Sequence, residues 1–238
     1  MAAGTLSRRA AAGEPVRILF LTPSLQSGGA ERQLVQLLQQ LDPQRYRMTL
    51  ATIDMPGQDD GRGYRADVRA LAHLRLVDLG RQGRFDVIGP LLRLRRLLRE
   101  ERIEILHPFL NLATMFALTG SWRSGIPVVA PAIRSSRDPN LLYRLCVLAQ
   151  AVGCDYLVSN SEAGFDNRFR RRRANFRVIG NGLDLARFTP RPEAAARLRE
   201  QFGLGRFRRL VGMVATLSAF KDHEAFLDVA ARVAENHP

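Results

Sequence analysis

The sequence is poor in lysine, cysteine and histidine, which rules out several kinds of site. Among its 36 basic residues the only lysine is Lys221, and all the others are arginines. Two cysteines cannot supply the framework of several disulfides that holds small secreted domains together. The four histidines are scattered and lack the short spacing of zinc ligands. We therefore expect buried free thiols and no zinc site.

Long apolar runs are missing as well. No stretch approaches the roughly 18 consecutive apolar residues that a membrane-spanning helix needs. Residues 1–15 contain no apolar core segment, so they are predicted to form a flexible leader and not a signal peptide. A cytoplasmic location is the expectation that follows by default.

The net charge of +13 comes almost entirely from arginine. A general preference for arginine weakens the argument that any one arginine was selected to bind nucleic acid. The run Arg168–Arg173 is predicted to lie late in a helix, where cations complement the helix dipole. Peripheral contact with an anionic membrane is the alternative for this run. Nucleic-acid binding is not expected, because no platform of interleaved aromatic side chains accompanies the basic residues.

The most informative stretch present is Val16–Leu41. Its apolar run Ile18–Leu21 predicts a strand that is covered on both faces, and leucines at three- and four-residue spacing then predict a helix. Gly28 and Gly29 lie between the two elements. A helix that begins there directs free N–H groups and its positive dipole end toward an anion such as a phosphate. A plain tight turn explains the same two glycines, so both interpretations stay open.

Strands and helices alternate along most of the chain. Strands are predicted at residues 16–23, 46–53, 74–79, 103–106, 127–130, 156–158 and 177–179. This alternation indicates an α/β fold with a Rossmann-like parallel sheet and right-handed crossovers. Ligands of such sheets bind at the carboxyl ends of the strands, where Ser24–Glu31, His107–Asn111 and Ile133–Asp138 would lie.

The pattern divides the chain into a large domain and the beginning of a second. Residues 16–182 are predicted to form the first domain, and residues 183–208 a linker with one helix. Residues 209–238 add one more βα unit, a strand over Leu210–Ala215 and a helix over Asp222–Asn236 with its apolar side chains inward. Because a unit this small rarely buries enough surface, we expect an incomplete α/β unit that packs on the first domain or a truncated protein.

Four motifs in the chain resemble those of the family 4 glycosyltransferases, which have the GT-B fold. They are Gly28–Arg32, Val158–Ala163, Val178–Phe188 and Val211–His223, in the order and spacing of that family. The resemblance covers the chain from about Val16 to its last residue. It implies two facing Rossmann-like domains with the site in the cleft between them.

The resemblance also implies a reaction. The family transfers a sugar, with retention and usually without a metal, from a nucleotide-sugar donor to an acceptor. The acceptor would be a glycan or a lipid-linked glycan in the synthesis of cell-surface polysaccharide. Carried over to this chain, Gly28 and Gly29 with Glu31 would lie near the donor diphosphate and the acceptor. Lys221 would neutralise the diphosphate, and Asn181 of the hinge motif is assigned to the donor.

The chain departs from the family pattern at several positions. Many members carry a histidine after the fifth strand, where this chain has none, so Arg134 is the candidate catalytic residue there. His107, at the end of the fourth strand, is the second catalytic candidate, and Asn111 beside it is assigned to substrate binding; a histidine here is often only structural. A diphosphate-binding arginine of the family corresponds to Thr216.

The glutamates that hold the donor in the family would fall beyond Pro238. We therefore expect weak or no turnover by this polypeptide alone. The alternative is a non-catalytic acceptor-binding module, or a subunit that needs a separate donor-domain chain. A GT-B epimerase is a further alternative, although it needs catalytic carboxylates and histidines that the sequence does not place.

Overall fold

The structure is a computed structural model that describes residues 13–54, 63–131, 141–166, 169, 171–207 and 209–236. It divides into two compact units, residues 1–183 and residues 184–238. The candidate residue Arg134 and the segment 55–62 lie outside the described residues.

The first unit alternates strands and helices, as the sequence predicts. Its strands are β1 (Val16–Thr22), β2 (Tyr46–Asp54), β3 (Leu74–Arg81), β4 (Ile105–Pro108), β5 (Val129–Pro131), β6 (Tyr156–Ser159) and β7 (Phe176–Val178). Its helices are α1 (Gly29–Gln40), α2 (Arg65–Arg69), α3 (Ile88–Glu100), α4 (Leu110–Gly120), α5 (Leu141–Gly153) and α6 (Glu162–Asp166). The five-residue helix α2 is absent from the sequence prediction.

The strands form parallel sheets in a Rossmann-like arrangement. One sheet has the order β3-β2-β1-β4 and the other the order β5-β6-β7. A parallel bridge between Leu106 and Val128 joins β4 to the beginning of β5, and Leu106 N donates to Pro127 O at 3.0 Å. The predicted α/β fold class is confirmed. From β1 the chain adds strands β2 and β3 on one side, and it then returns to place β4 on the other side of β1. Such sheets bind ligands at this switch point between β1 and β4.

Apolar side chains of β1 point alternately to the two faces of the sheet and enter two different cores. Leu19 and Leu21 pack with the residues of α3, α4 and α5 on one face. Phe20 packs with Leu34 and Leu38 of α1 on the other. This period of two along a strand is why the run Ile18–Leu21 carries no polar residue.

The second unit differs from the prediction. It contains two helices, α7 (Pro192–Gln201) and α8 (His223–Asn236), and two short 3₁₀ turns, Leu185–Phe188 and Ala219–Lys221. The predicted strand over Leu210–Ala215 is wrong, because these residues pair with no strand among those described. A strand needs a neighbour to receive its N–H and C=O groups, and this unit supplies none in the described part.

Helix α8 forms where it was predicted, but its apolar side chains are not buried. Leu227 is 63% exposed, Val229 is 61% exposed and Val233 is 53% exposed. The prediction that these residues point inward is therefore wrong. An amphipathic helix buries its stripe only when a sheet or another helix covers that stripe.

The basic run also differs from its prediction. Helix α6 is short, and Phe169 and Arg171–Arg173 are not helical. Arg173 instead donates from Nη1 to Ala151 O, in the last turn of α5, at 2.9 Å. The run therefore does place a cation at the C-terminus of a helix. That helix is α5, whereas the prediction placed the cations at the end of the helix that contains the run itself.

The two cysteines are free thiols. Cys154 is buried, and burial, together with the charge of Asp155, raises the pKa of its thiol to about 12. Cys146 is only partly buried. The expectation of buried thiols is confirmed for Cys154.

Candidate functional site

The candidate site lies at the carboxyl edge of the parallel sheet. The glycine turn follows β1, the turn into α4 follows β4, and the segment 179–182 follows β7. Because parallel strands all end at the same edge, the sheet brings these three connections to one side of the first unit. The paired strands β1 and β4 place Phe20 opposite His107.

The glycine turn leaves the first backbone N–H groups of α1 without a partner inside the helix. Gly28 is the N-cap, with an extended backbone (φ −162°), and the first helical bond runs from Arg32 N to Gly28 O at 3.0 Å. The N–H groups of Gly29, Ala30 and Glu31 precede that bond and have no partner within the helix. A Cβ added at Gly29 would meet no atom within 4 Å. Among the described residues, the Cβ position of Gly29 is therefore open.

The carboxylate of Glu31 folds back onto the same helix end. A Cβ added at Gly28 would lie 2.1 Å from Glu31 Oε2, so a side chain at this position would displace the flexible end of Glu31. A carboxylate accepts hydrogen bonds but repels a diphosphate. The position of Glu31 therefore suits the hydroxyl groups of a sugar better than its phosphates, unless the side chain turns away.

The rest of the glycine loop is held firmly by the segment before α2. Leu25 is buried, and its carbonyl accepts a hydrogen bond from Tyr64 N at 2.8 Å. A Cβ added at Gly63 would lie only 2.6 Å from Leu25 O. Only glycine permits this close approach of two backbones, so Gly63 is a structural partner of the loop that the sequence analysis did not identify.

His107 lies within β4 and its ring is held on three sides. The ring packs between Phe20 and Phe109 in tilted arrangements, with centroid distances of 5.5 Å and 4.9 Å. His107 Nδ1 donates a hydrogen bond to Val129 O, because a carbonyl oxygen can only accept. That bond leaves Nε2 as the acceptor nitrogen of the neutral ring.

Burial lowers the pKa of His107 below its usual value, although the hydrogen bond to Val129 O acts in the opposite direction. The ring is therefore neutral at pH 7. A neutral imidazole with a fixed tautomer can accept a proton or a hydrogen bond at Nε2. A structural histidine would make the same contacts. The geometry therefore shows that His107 is able to accept at Nε2, and it does not assign a catalytic role.

The turn between β4 and α4 is strained. Leu110 has a positive φ of 70°, a conformation that costs energy in a residue with a side chain. Phe109 N donates to Leu21 O at 2.6 Å, which ties this turn to the end of β1. Asn111 follows in the first turn of α4, and its Oδ1 accepts a hydrogen bond from Gln150 Nε2 at 3.0 Å. The buried Gln150 thereby leaves the Asn111 amide group as a donor.

Asn181 lies in the segment after β7, and this segment is attached to the helix that follows the glycine turn. Gln33 Nε2 of α1 donates to Gly182 O at 3.2 Å, and Ile179 N donates to Ser159 O at 2.9 Å. Asn181 itself is exposed. The structure therefore brings Asn181 to the side of the unit on which α1 lies.

Two candidates do not belong to the described part of the first unit. Arg134 lies outside them, and Lys221 belongs to the second unit. Lys221 is exposed at the end of a 3₁₀ turn, and its N–H donates to Ser218 O at 2.9 Å. Asp222 follows with φ 50°, and its Oδ1 accepts from Ala225 N at 3.1 Å, so this carboxylate caps α8.

Sequence reasoning missed three contributors to the edge. Gln150 had a signal, since it is the only amide in helix α5, whose other residues are mostly apolar. Gly63 also had one, because it belongs to a glycine-rich loop. The positive φ of Leu110 had none, since leucine seldom adopts that conformation.

Neither metals nor membrane spans are indicated by the described residues. Within them, no three histidine, cysteine or acidic side chains form a group that could hold a metal ion. None of the described helices combines the length and the apolar composition needed to cross a bilayer.

The chain is similar to several glycosyltransferases. A protein of Bacillus subtilis (strain 168) named "Putative glycosyltransferase EpsF" is 22% identical over 230 residues, which cover 92% of this chain and 59% of that protein. Anabaena Alr3699/HepE, solved in complex with UDP-glucose, superposes with a TM-score of 0.73 at 20% identity and covers 91% of this chain and 57% of that one. A glycosyltransferase from Rickettsia africae ESF-5 superposes with a TM-score of 0.70 at 11% identity over 92% and 57% of the two chains.

These relatives all match nearly the whole of this chain, and the two solved structures share its fold. The chain spans somewhat more than half the length of each of these relatives. The model of Glycosyltransferase Family 4 matches residues 27–187, which is more than half of the chain and contains both the glycine turn and the edge of the sheet. The chain therefore belongs to Glycosyltransferase Family 4.

Proposed function

We propose that this chain supplies the acceptor-side half, and the beginning of the donor-side half, of a retaining glycosyltransferase. Its donor is a nucleotide sugar, and its acceptor is a glycan or a lipid-linked glycan of a cell-surface polysaccharide. The observation that carries the proposal is the open N-terminus of α1 at Gly29, located where the strand order reverses. The UDP-glucose bound by the Anabaena protein supports a uridine diphosphate sugar as the first donor to test.

The proposed roles follow from the chemistry of each group. The free N–H groups of Gly29 and Ala30 hold a negatively charged oxygen, as helix N-termini do. His107 Nε2 accepts the hydrogen bond of the acceptor hydroxyl that attacks the sugar, and the Asn111 amide donates to a neighbouring oxygen. Glu31 accepts hydrogen bonds from sugar hydroxyls at the same helix end.

Charge develops on the departing diphosphate as the bond to the sugar breaks. A fixed cation near that group lowers the barrier, because its interaction is stronger in the transition state than with the bound donor. Lys221 is our proposed cation on the donor side, Arg134 is the proposed cation after β5, and Asn181 is proposed to bind the donor. No metal or cofactor is assigned to the reaction.

The experiment that tests the function is sugar transfer. The protein is produced from its gene together with any coding sequence that follows codon 238 in frame, and also as the 238-residue chain. Each form is incubated with UDP-glucose or GDP-mannose and an extract of lipid-linked glycans, and the labelled product is separated. We expect transfer by a form that includes a donor half and weak or no transfer by the 238-residue chain. Absence of transfer with every donor would contradict the enzyme assignment.

A non-catalytic acceptor-binding module is the second candidate. It is favoured by one observation, namely that none of the described residues of the second unit is buried. Under this hypothesis the 238-residue chain binds the acceptor glycan but no nucleotide sugar. Equilibrium dialysis with labelled UDP-glucose distinguishes the two candidates, since the enzyme assignment requires donor binding once a donor half is present.

A further inference from the structure

Helix α5 presents an unusual apolar stripe to solvent. Leu141, Leu145, Leu148 and Val152 are 68%, 53%, 58% and 65% exposed. Their spacing of four, three and four residues places them on one line along the helix. The opposite face, with Val147, Gln150 and Ala151, is buried in the first unit. The stripe is therefore about 16 Å of apolar surface on a helix that is already packed on its other side.

The charges on and around this helix are basic. Helix α5 contains no carboxylate, and its one charged residue is the exposed Arg144. At its C-terminal end Arg173 is bonded to Ala151 O, and the exposed Arg171 lies two residues before Arg173. The stripe therefore has cations on the helix itself and at its last turn.

The carboxylates nearest in sequence to the end of the helix are already engaged. Asp155 Oδ2 accepts a hydrogen bond from Val128 N at 2.8 Å. Glu162 and Asp166 both pair with Arg172. Among the described residues at this end of the helix, Glu162 and Asp166 are thus partly offset by Arg172, whereas Asp155 keeps its negative charge.

A partly exposed aromatic residue follows the C-terminal end of this helix in the chain. Tyr156, the first residue of β6, is 44% exposed, and the guanidinium of Arg177 lies over its ring at 5.8 Å from the centroid. Tyrosine and arginine at the margin of an apolar face are typical of the interface between lipid headgroups and acyl chains.

We propose that the exposed face of α5, with Leu141, Leu145, Leu148 and Val152 at its centre, lies in the headgroup layer of an anionic lipid membrane. Helices that bind in this way lay an apolar face in the plane of the membrane and keep their cations at the headgroups. Basic residues then add affinity only for membranes that contain anionic lipid. An aqueous protein partner would have to match an apolar stripe with one arginine on the helix and others at its C-terminal end, whereas an anionic bilayer satisfies both features at once.

This inference rests on the proposed function. If the acceptor is lipid-linked, the exposed face of α5 is the surface that brings the enzyme to the membrane in which the acceptor lies. The membrane contact is read out separately from sugar transfer. If vesicle binding fails while transfer succeeds, only the surface assignment is lost. If transfer fails while vesicle binding succeeds, only the enzyme assignment is lost.

The test is vesicle flotation with the purified chain. Vesicles of pure phosphatidylcholine are compared with vesicles that contain about one third phosphatidylglycerol, at low and at high salt. We expect binding to the anionic vesicles at low salt, weaker binding at high salt, and little binding to the neutral vesicles. Absence of binding to the anionic vesicles would overturn the proposal.

Two sets of variants locate the surface. The double variant Leu145→Asn with Leu148→Asn should reduce binding at least about tenfold, because two leucine side chains no longer enter the lipid. Leu198→Asn on α7, where the leucine is 51% exposed, is the matched control and should bind as the parent does. Arg144→Gln with Arg171→Gln should weaken binding mainly to the anionic vesicles. Circular dichroism confirms that each variant is folded.

Two results would contradict this location. Unchanged binding of the double leucine variant would place any membrane contact elsewhere on the chain. Self-association that is lost in the same variant, with no vesicle binding by the parent, would make the stripe an interface between two copies of the chain.

Discussion

The two units of this chain use apolar residues in opposite ways. In the described part of the first unit, seven parallel strands carry a core on each face, and side chains such as Leu19 and Leu34 are completely buried. In the described part of the second unit, helices α7 and α8 have apolar residues at helical spacing, yet none is buried. The difference shows that a helical pattern determines the helix, whereas burial of its stripe requires a sheet or another helix as a second layer.

The largest effect should come from removing one aromatic ring in each unit. Phe116 of α4 is 4% exposed, and Phe202 after α7 is 62% exposed. We expect Phe116→Ala to lower the free energy of unfolding by about 3–5 kcal/mol because it leaves a cavity in the core. Phe202→Ala should change it by less than about 0.5 kcal/mol.

Urea unfolding followed by the fluorescence of Trp122, the only tryptophan, measures the stability of the first unit, and circular dichroism reports on both units. A comparable loss of stability in Phe202→Ala would break the comparison. It would mean that Phe202 is buried in the molecule in solution.

The second effect concerns the open helix end. Gly29→Val places a β-branched side chain where no atom now lies within 4 Å of the Cβ position. We expect an intact fold but a loss of about 100-fold in affinity for UDP-glucose, because the ligand can no longer approach the free N–H groups. Gly205→Val in the second unit is the matched control, since its Cβ position is equally open.

Titration calorimetry with UDP-glucose measures both variants in a form of the protein that includes a donor half. Full affinity in Gly29→Val would leave the two adjacent glycines with a purely structural role as a tight turn.

The third effect tests whether the second unit contributes a cation to the same donor. Lys221→Ala should weaken binding of UDP-glucose about tenfold, because a charge-assisted bond to the diphosphate is lost. Lys221→Arg keeps the charge and should recover most of that affinity. The measurement is again calorimetry, with uridine alone as the ligand that should be insensitive to the substitution. Equal affinities for UDP-glucose in parent and Lys221→Ala would remove the residue from the site.

The smallest effect concerns a polar cluster at the ends of β2 and β3. Burial of Asp78 would raise the pKa of its carboxyl group, but hydrogen bonds from Arg65 and Thr52 and the charge of Arg65 outweigh it and lower the pKa. The folded state therefore holds this proton less tightly than the unfolded chain. The resulting stabilisation is complete above the unfolded pKa of about 4 and is lost as the pH falls through the lower folded value.

We expect Asp78→Asn to lower the free energy of unfolding by up to about 1 kcal/mol at pH 7, with a smaller difference from the parent below about pH 4. Glu200→Gln in the second unit, at an exposed residue, is the control and should change the free energy of unfolding by less than about 0.5 kcal/mol. The measurement is urea unfolding at a series of pH values. A constant difference at all pH values would show that the ion pair does not stabilise the fold.

Much of the first unit could be predicted because its elements repeat one pattern. Apolar strands such as Ile18–Leu21 are covered on both faces, and their ends were predicted within a few residues. The segment Leu210–Ala215 is also mainly apolar, yet the strand predicted for it does not form. Composition shows that a segment is compatible with a strand. Whether the strand forms depends on a neighbouring strand that can pair with its backbone N–H and C=O groups.

The candidate site was predictable to a similar degree. Gly28 and Gly29 were identified because glycines between a strand and a helix have few explanations. The environment of His107 was not predictable, since Phe20, Phe109 and Val129 come from three different parts of the chain. The strained backbone at Leu110 had no sequence signal at all.

The sequence by itself determined the alternation of strands and helices, the position of the glycine turn and the family. These properties depend on local periodicity and on short motifs, which are complete within a few tens of residues. Only the tertiary structure decided that His107 is neutral with Nε2 as its acceptor, that Arg173 caps α5, and that the leucines of α5 face solvent. The reason is that burial and hydrogen bonding depend on which distant segments lie against a side chain, and that information appears only when the sheet has formed.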